Sequence, residues 1–155
     1  LILKVKNLRK IEIEFDIEKE VSAATQKKTI TQLFSTYGES KFRDIESSYL
    51  ESLDLVKTHI ISTGGGIILS ASNRQRLSDL GTVFFLNASI DCLSQRLSSS
   101  INRPLLNGIK DLPSHLTNIY NSRREYYSNC ASHTIDTTSL TTKEVALSIW
   151  DIYSA

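Results

Sequence analysis

Arg43 and Glu46 stand three residues apart in the segment Gly38-Glu39-Ser40-Lys41-Phe42-Arg43-Asp44-Ile45-Glu46, a spacing that puts both on one helical face. Taken alone, such a pair reads as a surface ion pair worth about 0.2–0.5 kcal/mol. A second signal is Ile60-Ile61-Ser62-Thr63-Gly64-Gly65-Gly66, a strand-like run that leads straight into three glycines. Three adjacent residues without Cβ let the backbone approach a ligand closely and turn its N–H groups toward it. The same three glycines also fit a flexible turn. Farther on come Arg103-Pro104-Leu105-Leu106, inside the Ser-, Asn- and Gly-rich stretch Ser98 to Lys110, and Arg123, four residues before Tyr127. The stretch 98–110 is expected to be a mobile loop.

These residues need elements to position them, and hydrophobic periodicity supplies candidates. Ile11 to Phe15, His59 to Thr63 and Thr82 to Leu86 read as strands, as does Leu1 to Val5, and a short strand is expected near Thr134. Helical patterns cover Ile30 to Thr36, Glu39 to Lys57, Ser72 to Leu80, Ser89 to Leu97, Leu112 to Cys130 and Thr141 to Tyr153. Short apolar strands alternating with helices imply a parallel sheet covered on both faces. Ligands in such sheets bind at the carboxyl ends of the strands.

Composition narrows the classes of function. The 155 residues are 40% hydrophobic and 23% charged, which fits one compact domain, residues 1–155, with a real core. Eighteen basic residues face seventeen acidic ones, and neither sign forms a block. Nothing there suggests nucleic acid or an anionic membrane as partner, so a small molecule is expected. Cys92 and Cys130 form no C-x-x-C pattern, and no signal peptide or 18-residue apolar run accompanies them. A reducing, cytoplasmic location is the expectation. The chain has no methionine and begins at Leu1, which suggests that the 155 residues are not a complete translated chain. His59, His115 and His133 have no metal-ligand spacing and read as structural or surface residues, and Trp150 and Tyr153 read as packing.

In order and spacing, G-E-x-x-F-R-x-x-E, S-T-G-G-G, R-P-L-L and R-x-x-x-Y together resemble the shikimate kinases, from Phe15 to the last helix. The resemblance implies a three-layer α/β/α P-loop kinase fold, with a five-stranded parallel sheet, helices on both faces and a mobile lid. It implies transfer of the γ-phosphoryl group of ATP, with Mg2+, to the 3-hydroxyl of shikimate, and a monomer is expected. Arg43 and Arg123 match the arginines that grip the substrate carboxylate, a task suited to a planar fork of donors. Glu46 matches the carboxylate that orients Arg43. Gly64, Gly65 and Gly66 match the backbone that lies against the substrate ring, with Phe42 packing nearby. Arg103 matches the lid arginine that neutralises phosphate charge, and Arg96 and Pro104 match the residues that flank the nucleotide base. Asp16 matches the aspartate that supports magnesium, while Glu18 stands where the family has the aspartate that contacts the reacting hydroxyl. Glu125 replaces a proline usual between the last arginine and tyrosine.

One family feature has no counterpart. The chain contains no G-x-x-x-x-G-K-[ST], the loop whose amides and lysine hold the ATP phosphates. Only Lys6 to Lys10 separate Val5 from the second strand. A parallel crossover needs a dozen or so residues, and five span at most about 18 Å. Two explanations stand: the phosphate loop and most of its helix are omitted between Val5 and Leu8, or the protein lacks them. Omission predicts neighbouring α-carbons there much farther apart than ~3.8 Å. Two other readings remain beside the kinase: a related small-molecule kinase resembling gluconate kinase, and a non-catalytic homologue that binds the acid without ATP.

Overall fold

The computed structural model describes residues 2–5, 13–17, 21, 29–54, 59–98 and 109–155. Five strands form one sheet in the order β2-β3-β1-β4-β5. They are β1 (Ile2–Val5), β2 (Ile13–Asp16), β3 (His59–Thr63), β4 (Thr82–Asn87) and β5 (His133–Asp136). The helices are α1 (Ile30–Ser52), α2 (Ala71–Leu80), α3 (Ile90–Ser98), α4 (Leu112–Cys130) and α5 (Thr142–Ser154). A 3-10 turn, Ile67–Leu69, joins the glycines to α2.

The expectation of an all-parallel sheet is corrected by β1. β2 pairs with β3 in parallel and β4 with β5 in parallel, but β1 runs antiparallel to both of its neighbours. Its register sets Ile2 opposite Thr63 and Phe85, and Val5 opposite Ile60 and Thr82. The short connection to β2 is the physical reason. β1 and β2 are separated by β3, a distance of about 10 Å, and Val5 and Ile13 both lie at the His59–Ile60 end of that strand. A link of 6–12 spans such a gap easily, whereas a parallel return would need a full crossover. The expected chain break between Val5 and Leu8 lies outside the described residues.

Alternation along the strands sends apolar residues to two separate cores. Val83 and Phe85 of β4 and Ile61 of β3 join a large cluster with Leu33, Phe42 and Leu50 of α1, Leu77 and Leu80 of α2, and Tyr127 and Cys130 of α4. Phe84 faces the other way, onto Ile135 and Ile149, where α5 packs with Val145 and Tyr153. Helices thus cover both faces of the sheet. Trp150 is exposed, Tyr153 is half-buried against the smaller cluster, and His133 stacks on Phe84 at 5.3 Å. Among the described residues no helix is long and apolar enough to cross a membrane.

Two helix starts follow directly from sequence. Thr29 and Gln32 exchange hydrogen bonds of 3.2 and 2.8 Å in a capping box that opens α1. Asp111 accepts from the Ser114 N–H at 3.1 Å and opens α4, with Pro113 in the first turn, where no intrahelical donor is needed. The two helical patterns at 30–36 and from 39 onward prove to be one element bent at Gly38, whose φ of 78° and ψ of 170° suit only glycine. The second segment ends at Ser52, with Leu53 as its cap. Arg76 of α2 closes that end by donating to the Leu53 carbonyl, and the positive charge suits a helix C-terminus.

Candidate active site

β2, β3, β4 and β5 share one direction, so Asp16, Thr63, Asn87 and Asp136 all mark the same edge of the sheet. The sequence-derived site residues that the structure describes fall into two groups, with Asp16 apart at the end of β2.

The first group surrounds the glycines. Arg43 donates from Nη1 to Glu46 Oε2 at 2.8 Å and from Nη2 to Glu39 Oε1 at 3.1 Å. Glu46 is 0% exposed, so this is no surface pair: a carboxylate buried that deeply needs its cation. The guanidinium lies 5.1 Å from the centroid of Phe42, and Phe42 in turn packs on Phe34 with ring centroids 4.7 Å apart. Phe42, only 2% exposed, is therefore a shelf for the arginine. Gly66 fills the other side. A Cβ built on it would fall 2.6 Å from Arg43 Nη1, and closer still to Cζ and Nη2, so only glycine lets the guanidinium lie flat there. Nε of Arg43 is buried with no hydrogen-bond acceptor among the described residues. A planar cation held by a carboxylate, an aromatic shelf and a bare backbone is pre-organised for an incoming anion.

Two residues that sequence reasoning did not place in the site hold the glycine segment. Tyr127 donates from its hydroxyl to the Gly65 carbonyl at 2.7 Å, and its ring stacks on Phe85 at 4.5 Å and 5°. Burial pushes the Tyr127 pKa up, while the charge and hydrogen bonding of Arg123, and then the charge of Arg43, pull it down. Both arginines therefore act on the same phenol. Asn73, 5% exposed, donates from Nδ2 to the Ile67 carbonyl at 3.1 Å and to Ser47 Oγ at 2.9 Å. It ties the exit of the glycine turn to the helix that carries Arg43 and Glu46. The R-x-x-x-Y spacing hinted at Tyr127; nothing in the sequence singled out Asn73.

The second group lies at the ends of β4 and β5. Thr137 donates from N and from Oγ1 to the Asn87 carbonyl, each at 2.8 Å, and Ser89 donates to Thr138 Oγ1 at 2.9 Å. These bonds frame a hollow of about 250 Å³ lined by residues that include Asn87, Ala88, Tyr120, Asp136 and Thr138. Whole sites for drug-sized ligands measure roughly 300–1,000 Å³, so this hollow suits part of a ligand. Arg96 of α3 donates to the Thr137 carbonyl at 2.7 Å and to Thr137 Oγ1 at 3.2 Å. It is anchored beside the hollow.

Asp16 ends β2 with its backbone in register with Ser62. Glu18, Arg103 and Pro104 lie outside the described residues, as do positions 99–108 of the lid expected over 98–110. Among the described residues no group of three or more His, Cys, Asp or Glu side chains forms a metal site. The reversal of β1 bears on this edge too. The amino end of β1 meets Thr63, so its carboxyl end, Val5, lies toward the opposite edge, away from the glycines.

The comparisons with known proteins point one way. The family model for shikimate kinase matches residues 10–153. The shikimate kinase of Thermodesulfovibrio yellowstonii is 35% identical over 139 residues, which make up 89% of this chain and 79% of that protein. The shikimate kinase of Caldicellulosiruptor bescii is 36% identical over 82% of this chain and 73% of its own length. Among solved structures, the shikimate kinase of Acinetobacter baumannii in complex with shikimate superimposes with a TM-score of 0.84 at 30% identity, covering 90% of this chain and 77% of that one.

Proposed function

The chain belongs to the shikimate kinase family of ATP-dependent phosphotransferases, with the α/β P-loop kinase fold, and we propose from that premise which of its residues do the work. Shikimate is an anion, and its carboxylate goes to Arg43 and Arg123. Glu46 orients Arg43, and the backbone of Gly64, Gly65 and Gly66 lies against the ring. The observation that carries this reading is the fixed Arg43 guanidinium, clamped by buried Glu46 and seated on Gly66. The solved relative that holds shikimate supports it. Arg96 and Pro104 flank the base of ATP, with Arg96 beside the hollow at the ends of β4 and β5. Arg103 neutralises phosphate charge, and Asp16 or Glu18 assists the 3-hydroxyl.

Magnesium is commonly held by one or two carboxylates together with substrate phosphates and water. Asp16, at the carboxyl edge of β2, is the carboxylate suited to that support. The ion would draw charge from the phosphates during transfer. The contribution of the protein is to hold donor and acceptor in line and to place cations around them, which is most of what phosphoryl transfer requires.

A second reading, in which this chain binds shikimate and has lost the nucleotide, is favoured by two observations. No phosphate-loop motif occurs in the sequence, and β1 leaves the sheet at the wrong edge for one. Titration calorimetry with shikimate, then with MgATP, joined to a shikimate-dependent ADP-release assay, separates the possibilities. Binding of both ligands with turnover is the expected result. Shikimate binding without MgATP binding would establish the second reading, and no shikimate binding would overturn the assignment of Arg43 and Arg123.

A further inference from the structure

We infer that Tyr127 is a positioning residue that couples the substrate-gripping Arg123 to the glycine backbone through its hydroxyl. The inference rests on the proposed roles of Arg123 and Gly64 to Gly66. Arg123 and Tyr127 are four residues apart on α4, hence on one helical face one turn apart. The hydroxyl donates to the Gly65 carbonyl at 2.7 Å across 62 positions of sequence. It also lies hard against the turn, since a Cβ on Gly65 would meet Tyr127 Oη at 3.0 Å. The ring cannot swing away easily, because it is stacked at 5° on Phe85 of β4 and is 8% exposed.

Packing alone does not account for these facts. Phenylalanine would stack on Phe85 as well, without the cost of taking a hydroxyl out of water. A phenol oxygen both donates and accepts; here it donates to Gly65, and Arg123, one helical turn away, acts on it by charge and hydrogen bonding. The same atom thereby fixes the spacing between the cation that takes the substrate carboxylate and the backbone that takes its ring. A glycine segment has no side chains of its own to set that distance.

The test is Tyr127→Phe, which keeps the stack and deletes only the hydroxyl. Shikimate binding, read by calorimetry, should weaken by about three- to tenfold, the scale of one net hydrogen bond, while Tm shifts little. Gly65→Ala should weaken binding in the native background and do less in the Tyr127→Phe background, where the opposing oxygen is gone. Ile149→Val, in the core on the opposite face of the sheet, should lower Tm and leave the shikimate Kd unchanged. Were Tyr127→Phe insoluble, Gly65→Ala alone should still raise Kd at constant Tm. An unaltered Kd in Tyr127→Phe, or equal effects of Gly65→Ala in both backgrounds, would sink the inference while leaving the family assignment intact. Failure of the native chain itself to bind shikimate would overturn the underlying roles as well.

Discussion

Gly66→Ala gives a sharp test of the acid-binding geometry, because it adds one methyl group where the structure leaves no room for it. The backbone does not object: Gly66 has φ −89° and ψ −13°, a region alanine adopts without strain. The obstacle is the guanidinium of Arg43, whose Nη1 would lie 2.6 Å from the new carbon. Non-bonded heavy atoms settle at about 3.5–4.0 Å, so the guanidinium must retreat by about 1 Å. Productive site geometry tolerates about 0.5 Å. Arg43 is long and flexible, and the retreat costs the fold little. It costs the ligand the charge-assisted hydrogen bonds of one arginine, each worth about 1.5–3 kcal/mol. The shikimate Kd, measured by calorimetry, should therefore rise roughly ten- to hundredfold. Alanine also narrows the unfolded ensemble by about 0.4–1 kcal/mol, so Tm should move by no more than about 4 °C in either direction. An unchanged Kd would refute the reasoning, since the guanidinium would then not be where the substrate needs it. A collapse of Tm would refute it differently, by showing that the glycine serves folding.

Two further outcomes follow from the same site. Arg43→Ala leaves the fully buried Glu46 without its cation and should cost about 3–5 kcal/mol of stability in denaturant unfolding, in addition to abolishing shikimate binding. At alkaline pH, Tyr127 makes its own contribution. Burial raises its pKa in the folded chain, so the stability it lends is fully present below the unfolded value of about 10 and is lost as pH rises through the higher folded value. Stability measured from pH 8 to 12 should fall less steeply in Tyr127→Phe than in the native chain.

Residue type and local spacing made part of this site legible. Arg43 and Glu46 share a helical face, and a triple glycine after an apolar strand signals close backbone approach. Their energetic character was not legible. The same i,i+3 spacing describes an exposed pair of little worth and the buried pair found here, and only tertiary packing decides between them. Contacts across long stretches of sequence leave no periodic trace, which is why Asn73, 26 positions from Ser47, gave no signal. Phe42 was readable as an apolar neighbour of the site, but its partner is the arginine itself. For the sheet, the strand patterns were visible and the short first link argued against a parallel crossover. The reversal of β1 depended on which strands it lay between, and a strand pattern is the same in either direction.

The bend at Gly38 makes α1 two rods joined at a single residue. Arg43 lies five residues past the joint, about 7.5 Å along the axis of the second rod. A tilt of that rod by about 10° displaces the backbone of Arg43 by about 1.3 Å, more than twice the ~0.5 Å tolerance of a productive site. Phe42 and Glu46 travel on the same rod, whereas Gly66 and Tyr127 do not. Shelf, clamp and cation therefore keep their mutual arrangement under such a tilt, and the acid-binding half of the site reduces to one angular coordinate measured at Gly38.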